Sequence, residues 1–267
     1  PPHPAAPARA ALGSSAVLLV SWNVNSLNAR MPRVLEFLAE HRPDVLCLQE
    51  TKCADDAFPE DARREAGYHA VHHSAGRWAG VAILSTDEPQ DVSVGLPGEP
   101  AEDEARWIEA TVCGMRVASV YVPNGRAVDS PPFHQKLAFL DAMRERVPAC
   151  DAVLGDFNVT RGDIDVYDPG AFEGSTHVTP EERTRFEALL ETGMVDAYRH
   201  LHPEDVGYTW WDYRQGHFHR GLGLRIDYVL VAARHAGRLR ACGIDRTYRK
   251  GPKPSDHAPL LCTLSDA

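Results

Sequence analysis

The chain has 267 residues, 43% of them hydrophobic, enough to bury one substantial core. No apolar run nears the roughly 18 residues that cross a bilayer and no signal-peptide core is present, which predicts a soluble protein with no membrane partner. A formal charge of −10, from 38 acidic against 28 basic residues, argues against a protein that coats nucleic acid through bulk positive charge.

Residues 1–14, PPHPAAPARAALGS, are rich in Pro and Ala, lack hydrophobic periodicity and read as a flexible tail; residues 15–267 are expected to form a single domain. A strand over VLLVSW is followed by a helical stripe at Met31, Val34, Leu35 and Leu38. Strands then follow at DVLCLQ, GVAILS, RWIEATV and RVASVYV, and a second helix at Phe133, Leu137, Leu140 and Val147. AVLGDF is the next strand. A third helix carries its own start signal, with Thr179 as N-cap, Pro180 as first helical residue and Glu182 as capping-box partner ahead of Phe186, Leu189 and Leu190. RIDYVLVA and PLLCTL complete the strands. Strands outnumber helices and are nearly continuous in apolar character, which points to an α/β fold of two packed, mainly antiparallel sheets buried on both faces with helices outside. The six cysteines include no C-x-x-C pair and several lie inside apolar strands, the pattern of reduced thiols in a cytoplasmic protein.

Within this apolar frame VLGDFNV, residues 153–159, is anomalous, because Asp156 and Asn158 project from a segment otherwise fit for a core. Leaving such groups unpaired costs roughly 2 kcal/mol or more each, and far more for a charge. Similar groups close other strands: Asn23 with Asn25 beyond it, Glu50, and Tyr121 with Asn124. Asp227 opens a strand, and Asp256 and His257 precede one. In antiparallel neighbours the end of one strand lies beside the start of the next, so all these groups can share one edge.

Gathered there, Glu50, Asp156, Asp227 and Asp256 repel one another unless a cation sits among them. Oxygen ligands favour Mg²⁺, with Mn²⁺ as a substitute, and no zinc pattern is present. Mg²⁺ held by few carboxylates commonly completes its shell with phosphate, which points to phosphoester hydrolysis. Such chemistry needs a base for water, here Asp156 oriented by Asn158. It needs a cation against the developing charge, held by Glu50, Asp256 and their neighbours. It also needs a donor to a non-bridging oxygen, for which His257 set by Asp227 is suited, with Tyr121 as a second donor. Each residue also has a plainer reading: Asp-x-Asn as a turn device, Tyr121 as an ordinary strand residue, Glu50 as the partner of Lys52 or a nearby Arg. Convergence of separate segments on one edge favours the joint reading.

The motifs SWNVNSLNAR, PDVLCLQETK, YVPNG, GDFNVTRGDIDVYDP, TPEER, WWDYRQG, GLRIDYVL and SDHAPL, in this order over about residues 17–264, resemble exonuclease III and its relatives, the Mg²⁺-dependent AP endonucleases. LQETK and GDFN fit the wider DNase I-like superfamily, whereas WWDYR followed by GLRID is narrower and resembles the bacterial exonuclease III branch. The resemblance implies a four-layered α/β sandwich and a DNA repair nuclease with 3′ to 5′ exonuclease, 3′-phosphatase and AP endonuclease action on duplex DNA carrying nicks, 3′ ends or abasic sites, working as a monomer. It implies Glu50 as principal metal ligand with Asn23, Asn25 and Asp256 nearby. Asp156 and Asn158 then surround the nucleophilic water, Tyr121 lies near the phosphate, and the Asp227–His257 pair acts on the scissile group. Trp210 and Leu224 are assigned to an apolar pocket for a base-free deoxyribose. Arg214, His217, His219, Arg220 and Arg225, with Arg77 and Arg126 on other loops, then become candidates for tracking the DNA backbone.

One position departs from the family pattern. Two residues before the TPEER helix start, where AP-cleaving relatives usually hold a small residue, this chain has His177. An imidazole beside the sugar pocket obstructs an extrahelical abasic nucleotide while leaving a frayed 3′ end accessible. Hence 3′-end processing is expected to exceed AP-site incision. Competing readings are a phosphatase of lipid or small-molecule phosphates using the same edge, and a DNA-binding module without catalysis.

Overall fold

The structure, a computed structural model, describes residues 16–59, 64–76 and 78–266; the expected tail over 1–14 and Arg77 lie outside the described residues. The strands are β1 (Val17–Asn23), β2 (Val45–Gln49), β3 (His69–His73), β4 (Val81–Ser85), β5 (Gln90–Val94), β6 (Trp107–Val112), β7 (Met115–Tyr121), β8 (Ala152–Asp156), β9 (Met194–Asp196), β10 (Asp227–Ala232), β11 (Leu239–Ile244) and β12 (Leu260–Leu264). The helices that matter here are α1 (Leu27–His41), α2 (Pro131–Arg146) and α3 (Pro180–Glu191).

The strands form two six-stranded sheets, ordered β11-β12-β1-β2-β4-β3 and β5-β6-β7-β8-β10-β9. Alternate residues of β1 show how the layers arise. Leu19 points between the sheets with Val45, Ile83, Val117, Leu154 and Val229, whereas Leu18 and Val20 point outward to Val34, Phe37 and Leu38 of α1. On the far side, Val120, Val153 and Leu230 meet Phe139 and Leu140 of α2 and Phe186 and Leu189 of α3. Helix, sheet, sheet, helix gives the expected four-layered sandwich. The eight strands read from the sequence are the interior strands, and β3, β5, β9 and β11, which were not, are the four sheet edges. Edge strands face solvent on one side or are short, so they lack the apolar run; β5 is exposed at every position.

The third helix starts as its sequence announces: Thr179 Oγ1 accepts from Glu182 N at 3.2 Å, and Glu182 Oε2 accepts from Thr179 N at 3.0 Å. The second helix departs from its expected stripe. Phe133 and Leu140 are buried, but Phe139 and Met143 take the core, Val147 lies in a following 3₁₀ turn, and the buried residue one turn after Phe133 is Lys136. Buried polar contacts also cross between the sheets, where Gln49 Nε2 of β2 donates to Ser119 Oγ of β7 at 3.2 Å and Ser119 Oγ donates to Leu48 O at 3.2 Å.

Arg225 requires a correction. Expected on the DNA-facing surface, it is fully buried and forks between two carboxylates. Its Nε and Nη2 reach Asp165 at 2.8 and 3.0 Å, while Nη1 and Nη2 reach Asp196 at 3.1 and 2.9 Å. It anchors the start of β10 and is not available to phosphate. Burial alone would raise the Asp165 pKa, but Arg225 and Arg199 outweigh it and hold the carboxyl below its ordinary range. That stabilisation is complete above the unfolded value of about 4 and is lost as acid protonates the folded carboxylate. Arg225→Met, which leaves Asp165 to Arg199 and Asp196 to the Arg199 backbone N–H, should lower unfolding free energy by roughly 3 kcal/mol in urea titrations and reduce this part of the acid sensitivity.

Candidate active site

The site forms where two parallel strand pairs end. β1 and β2 run parallel with Asn23 opposite Gln49, so Asn23 and Glu50 emerge together; β7 and β8 run parallel with Tyr121 opposite Asp156. β10 is antiparallel to β8 with Asp227 opposite Asp156, and the segment leading into β12 brings Asp256 and His257 to the same rim. The shared edge is therefore built by parallel as well as antiparallel pairs, and strand ends gather at it as they do in other sheets with parallel strands. Gly155 is needed for the approach of β7 to β8, because a Cβ there would lie 2.0 Å from the Val120 carbonyl oxygen.

The side chains converge closely. Asn23 Nδ2 donates to Glu50 Oε1 at 2.8 Å and to Asp156 Oδ2 at 3.0 Å. His257 Nδ1 lies 2.8 Å from Asp227 Oδ2, and its Nε2 lies 3.7 Å from Asp156 Oδ2. Ligand atoms of Glu50, Asp156 and His257 all fall within 4.8 Å of one another. Asp156 Oδ1 accepts from Asn158 N at 2.9 Å, and Asn158 Oδ1 accepts from Asn124 Nδ2 at 3.2 Å. A cavity of about 160 Å³ is lined by Glu50, Asp156, Asp256 and His257 with Tyr121, Asn158, His177, Trp210 and Ile226.

Asp256 and Asn25 stand one step aside. Asp256 accepts from Asn25 Nδ2 at 3.0 Å and from Trp210 Nε1 at 3.1 Å, and Asn25 Oδ1 accepts from Lys52 Nζ at 2.7 Å. Lys52 Nζ also lies 2.6 Å from Glu50 Oε2, so the plain pairing of Glu50 with Lys52 and the convergence of Glu50 on Asp156 are both present. Asp227 is engaged with His257 rather than with the other acids. Leu224 is fully buried, bridged to Trp210 and Val166, and supports the pocket from behind. Ile226, two residues on and overlooked in the sequence, is the aliphatic residue on its wall.

Electrostatics follow from burial and crowding. Burial, with Asp227 and Glu50 nearby, pushes the Asp156 pKa up to about 8 against the opposing pull of His257. Burial would lower His257, but Asp227 and Asp156 outweigh it and raise the imidazole to about 10. Tyr121 is pushed well above its ordinary value by burial and by Glu50 and Asp156, although the Arg106 guanidinium lies 4.8 Å over its ring. Its hydroxyl is thus a donor at neutral pH. A divalent cation fits this donor set: two carboxylates aimed at one space share a single amide donor, and one of them is too crowded to ionise readily without added positive charge.

His177 lies on the pocket wall in the left-handed region, φ +81°, with its Nδ1 2.5 Å from the Asn158 carbonyl. A carbonyl only accepts, so Nδ1 carries the ring proton. Burial and the neighbouring Lys136 ammonium lower its pKa to about 4, which keeps the ring neutral.

Among the proposed DNA contacts, Arg126 is exposed in an adjoining groove of about 480 Å³ with Lys52, Arg106 and the 73% exposed Trp78. Arg214, His219 and Arg220 are exposed, with Arg214 paired to Asp212 at 2.6 Å, and His217 is half-buried. The groove gathers basic and aromatic groups from loops whose sequences, taken singly, gave no sign that they meet.

The chain belongs to the endonuclease/exonuclease/phosphatase family, whose model matches residues 20–257. It is 32% identical over 262 residues to exodeoxyribonuclease III of Haemophilus influenzae, covering 90% of this chain and 97% of that protein. It is also 35% identical over 254 residues to recombination repair protein 1 of Drosophila melanogaster, where the match takes in 91% of this chain but only 36% of the longer fly protein. In structure it is similar to the 3′ phosphatase NExo from Neisseria bound to a product DNA hairpin, with TM-score 0.91, 42% identity and coverage of 93% of this chain and 99% of that one.

Because the folded pKa of His257 is raised, its stabilisation is full below the unfolded value of about 6.5 and fades as pH rises through about 10. In metal-free protein the His257 ring should remain protonated at pH 8 by nitrogen-15 NMR, and Asp227→Asn should bring its titration down by a unit or more.

Proposed function

We propose that the protein is a Mg²⁺-dependent DNA repair nuclease that removes phosphate and nucleotides from 3′ ends of duplex DNA and incises abasic sites less readily. The observation that carries this reading is the meeting of Glu50, Asp156 and His257 at one small pocket whose wall includes His177. Exodeoxyribonuclease III and the DNA-bound 3′ phosphatase among its relatives support both the reaction class and the substrate end. Free cysteines, nearly all buried, accord with a reducing cytoplasm, and we assign residues 15–267 to one catalytic domain acting as a monomer.

Glu50 is proposed to hold Mg²⁺, or Mn²⁺ in its place, with Asn23, Asn25 and Asp256 around it, and the ion when bound supplies charge neutralisation at the phosphate. The chain's own residues do the rest. Asp156, its carboxylate oriented by the Asn158 backbone N–H, takes the proton of the attacking water. His257, held charged by Asp227, donates from Nε2 to a non-bridging oxygen, with the Tyr121 hydroxyl as second donor. Trp210 and Ile226 flank the terminal sugar, while Arg126 in the adjoining groove and the exposed Arg214 outside it meet the flanking backbone. His177 narrows the space that an extrahelical abasic sugar needs.

A divalent-metal panel on a nicked duplex bearing a 3′-phosphate should give phosphate release with Mg²⁺ and Mn²⁺, lost by roughly 10³-fold or more in Asp156→Asn. Inertness toward DNA with every metal, alongside hydrolysis of an inositol phosphate, would establish the lipid-phosphatase reading instead. On matched duplexes His177→Gly should raise abasic-site incision about tenfold or more while 3′-phosphate removal changes little; equal incision by parent and variant removes the steric argument. Affinity for duplex should fall steeply as salt rises from 50 to 200 mM, with the slope reduced by about one in Arg126→Ala.

A further inference from the structure

Lys136 is an ammonium with no exposure to solvent, on a helix position where a Leu or Met would pack without desolvating a charge. Its Nζ donates to the Asn158 carbonyl at 2.6 Å, the Asn124 carbonyl at 3.2 Å and Thr176 Oγ1 at 3.1 Å, and pairs with Glu182. These partners lie on the segments that present Asn124, Asn158 and His177 to the pocket. His177 is held through the same groups: its Nδ1 donates to the Asn158 carbonyl at 2.5 Å, and its backbone N–H donates to Glu182 Oε1 at 2.9 Å. Glu182 Oε1 also accepts from Thr176 Oγ1 at 2.7 Å. His177 occupies φ +81°, which side chains other than Gly rarely adopt unless the surroundings impose it.

We infer that the Lys136–Glu182 pair is a positioning device that fixes the His177 imidazole in the pocket wall and so sets the choice between 3′ ends and abasic sites. Lys136 acts through the Asn158 carbonyl and Glu182, without touching substrate. This rests on the nuclease reading above and adds to it a residue that the chemistry at the phosphate does not require. Its role differs from a general stabilising one, because its effect on substrate choice must pass through His177.

The test is a double-mutant cycle. In the parent, Lys136→Met should lower the ratio of 3′-phosphate removal to abasic-site incision at least fivefold, from kcat/KM values on matched duplexes. In a His177→Gly background the same substitution should leave that ratio within twofold. Equal changes of the ratio in both backgrounds overturn the inference. Glu182 keeps donors from Thr176, His177 and Thr179 when Lys136 is replaced, and Lys136→Met/Glu182→Gln removes both charges together. In that double variant, verified as folded by circular dichroism, the His177 Nδ1–H proton should exchange at least tenfold faster by NMR; unchanged exchange also overturns the inference. A parent chain inactive on every 3′-blocked duplex would count against the nuclease reading itself, and the NMR arm reads the coupling independently of that result.

Discussion

Two carboxylates from different sheets, Glu50 and Asp156, are held together on the two N–H bonds of one Asn23 amide, and the rest of the site is arranged around the repulsion between them. Lys52 leans on one carboxylate and the His257 imidazolium on the other, with Asp227 behind to keep that imidazole charged. Neither cation removes the crowding, since the Asp156 carboxyl still sits far above its ordinary value. A site left with excess negative charge is matched to a divalent ion and to the electron-poor phosphorus such an ion exposes.

How much was legible in the sequence depended on where a segment lies in the sandwich. Interior strands carry an unbroken apolar run because both faces are covered, and VLLVSW or PLLCTL announce themselves. Edge strands such as QDVSV, solvated throughout, have no such constraint and read as loop. The polar groups of the candidate site were legible for the complementary reason: a polar residue at the end of a buried strand is costly, so Asn23, Asp156 and Asp227 stood out against their surroundings. Asp256 was legible by motif, but its engagement with Trp210 and Asn25 depends on a loop that no local pattern describes.

Charged residues that are buried and paired were the least legible. Arg225 looks like part of a basic stripe in GLGLR, and only the fold brings Asp165 and Asp196 to it across the chain. Lys136 looks like the polar side of a helix, yet it lies among two backbone carbonyls and a threonine hydroxyl from three segments that meet only after folding. A charge in a sequence states a need for a partner without saying whether that partner is solvent, phosphate or a distant acid. Burial supplies the answer, and burial is a tertiary property.

The buried contact of Gln49 with Ser119 acquires meaning from its location one residue before Glu50 and two before Tyr121. Apolar faces can slide over one another with little preference, but a directional bond between the layers admits a single alignment. The spacing of the acids at the rim is thereby a gauge of how the two halves of the sandwich are seated, so the molecule's interior acts as the jig in which its reactive edge is held.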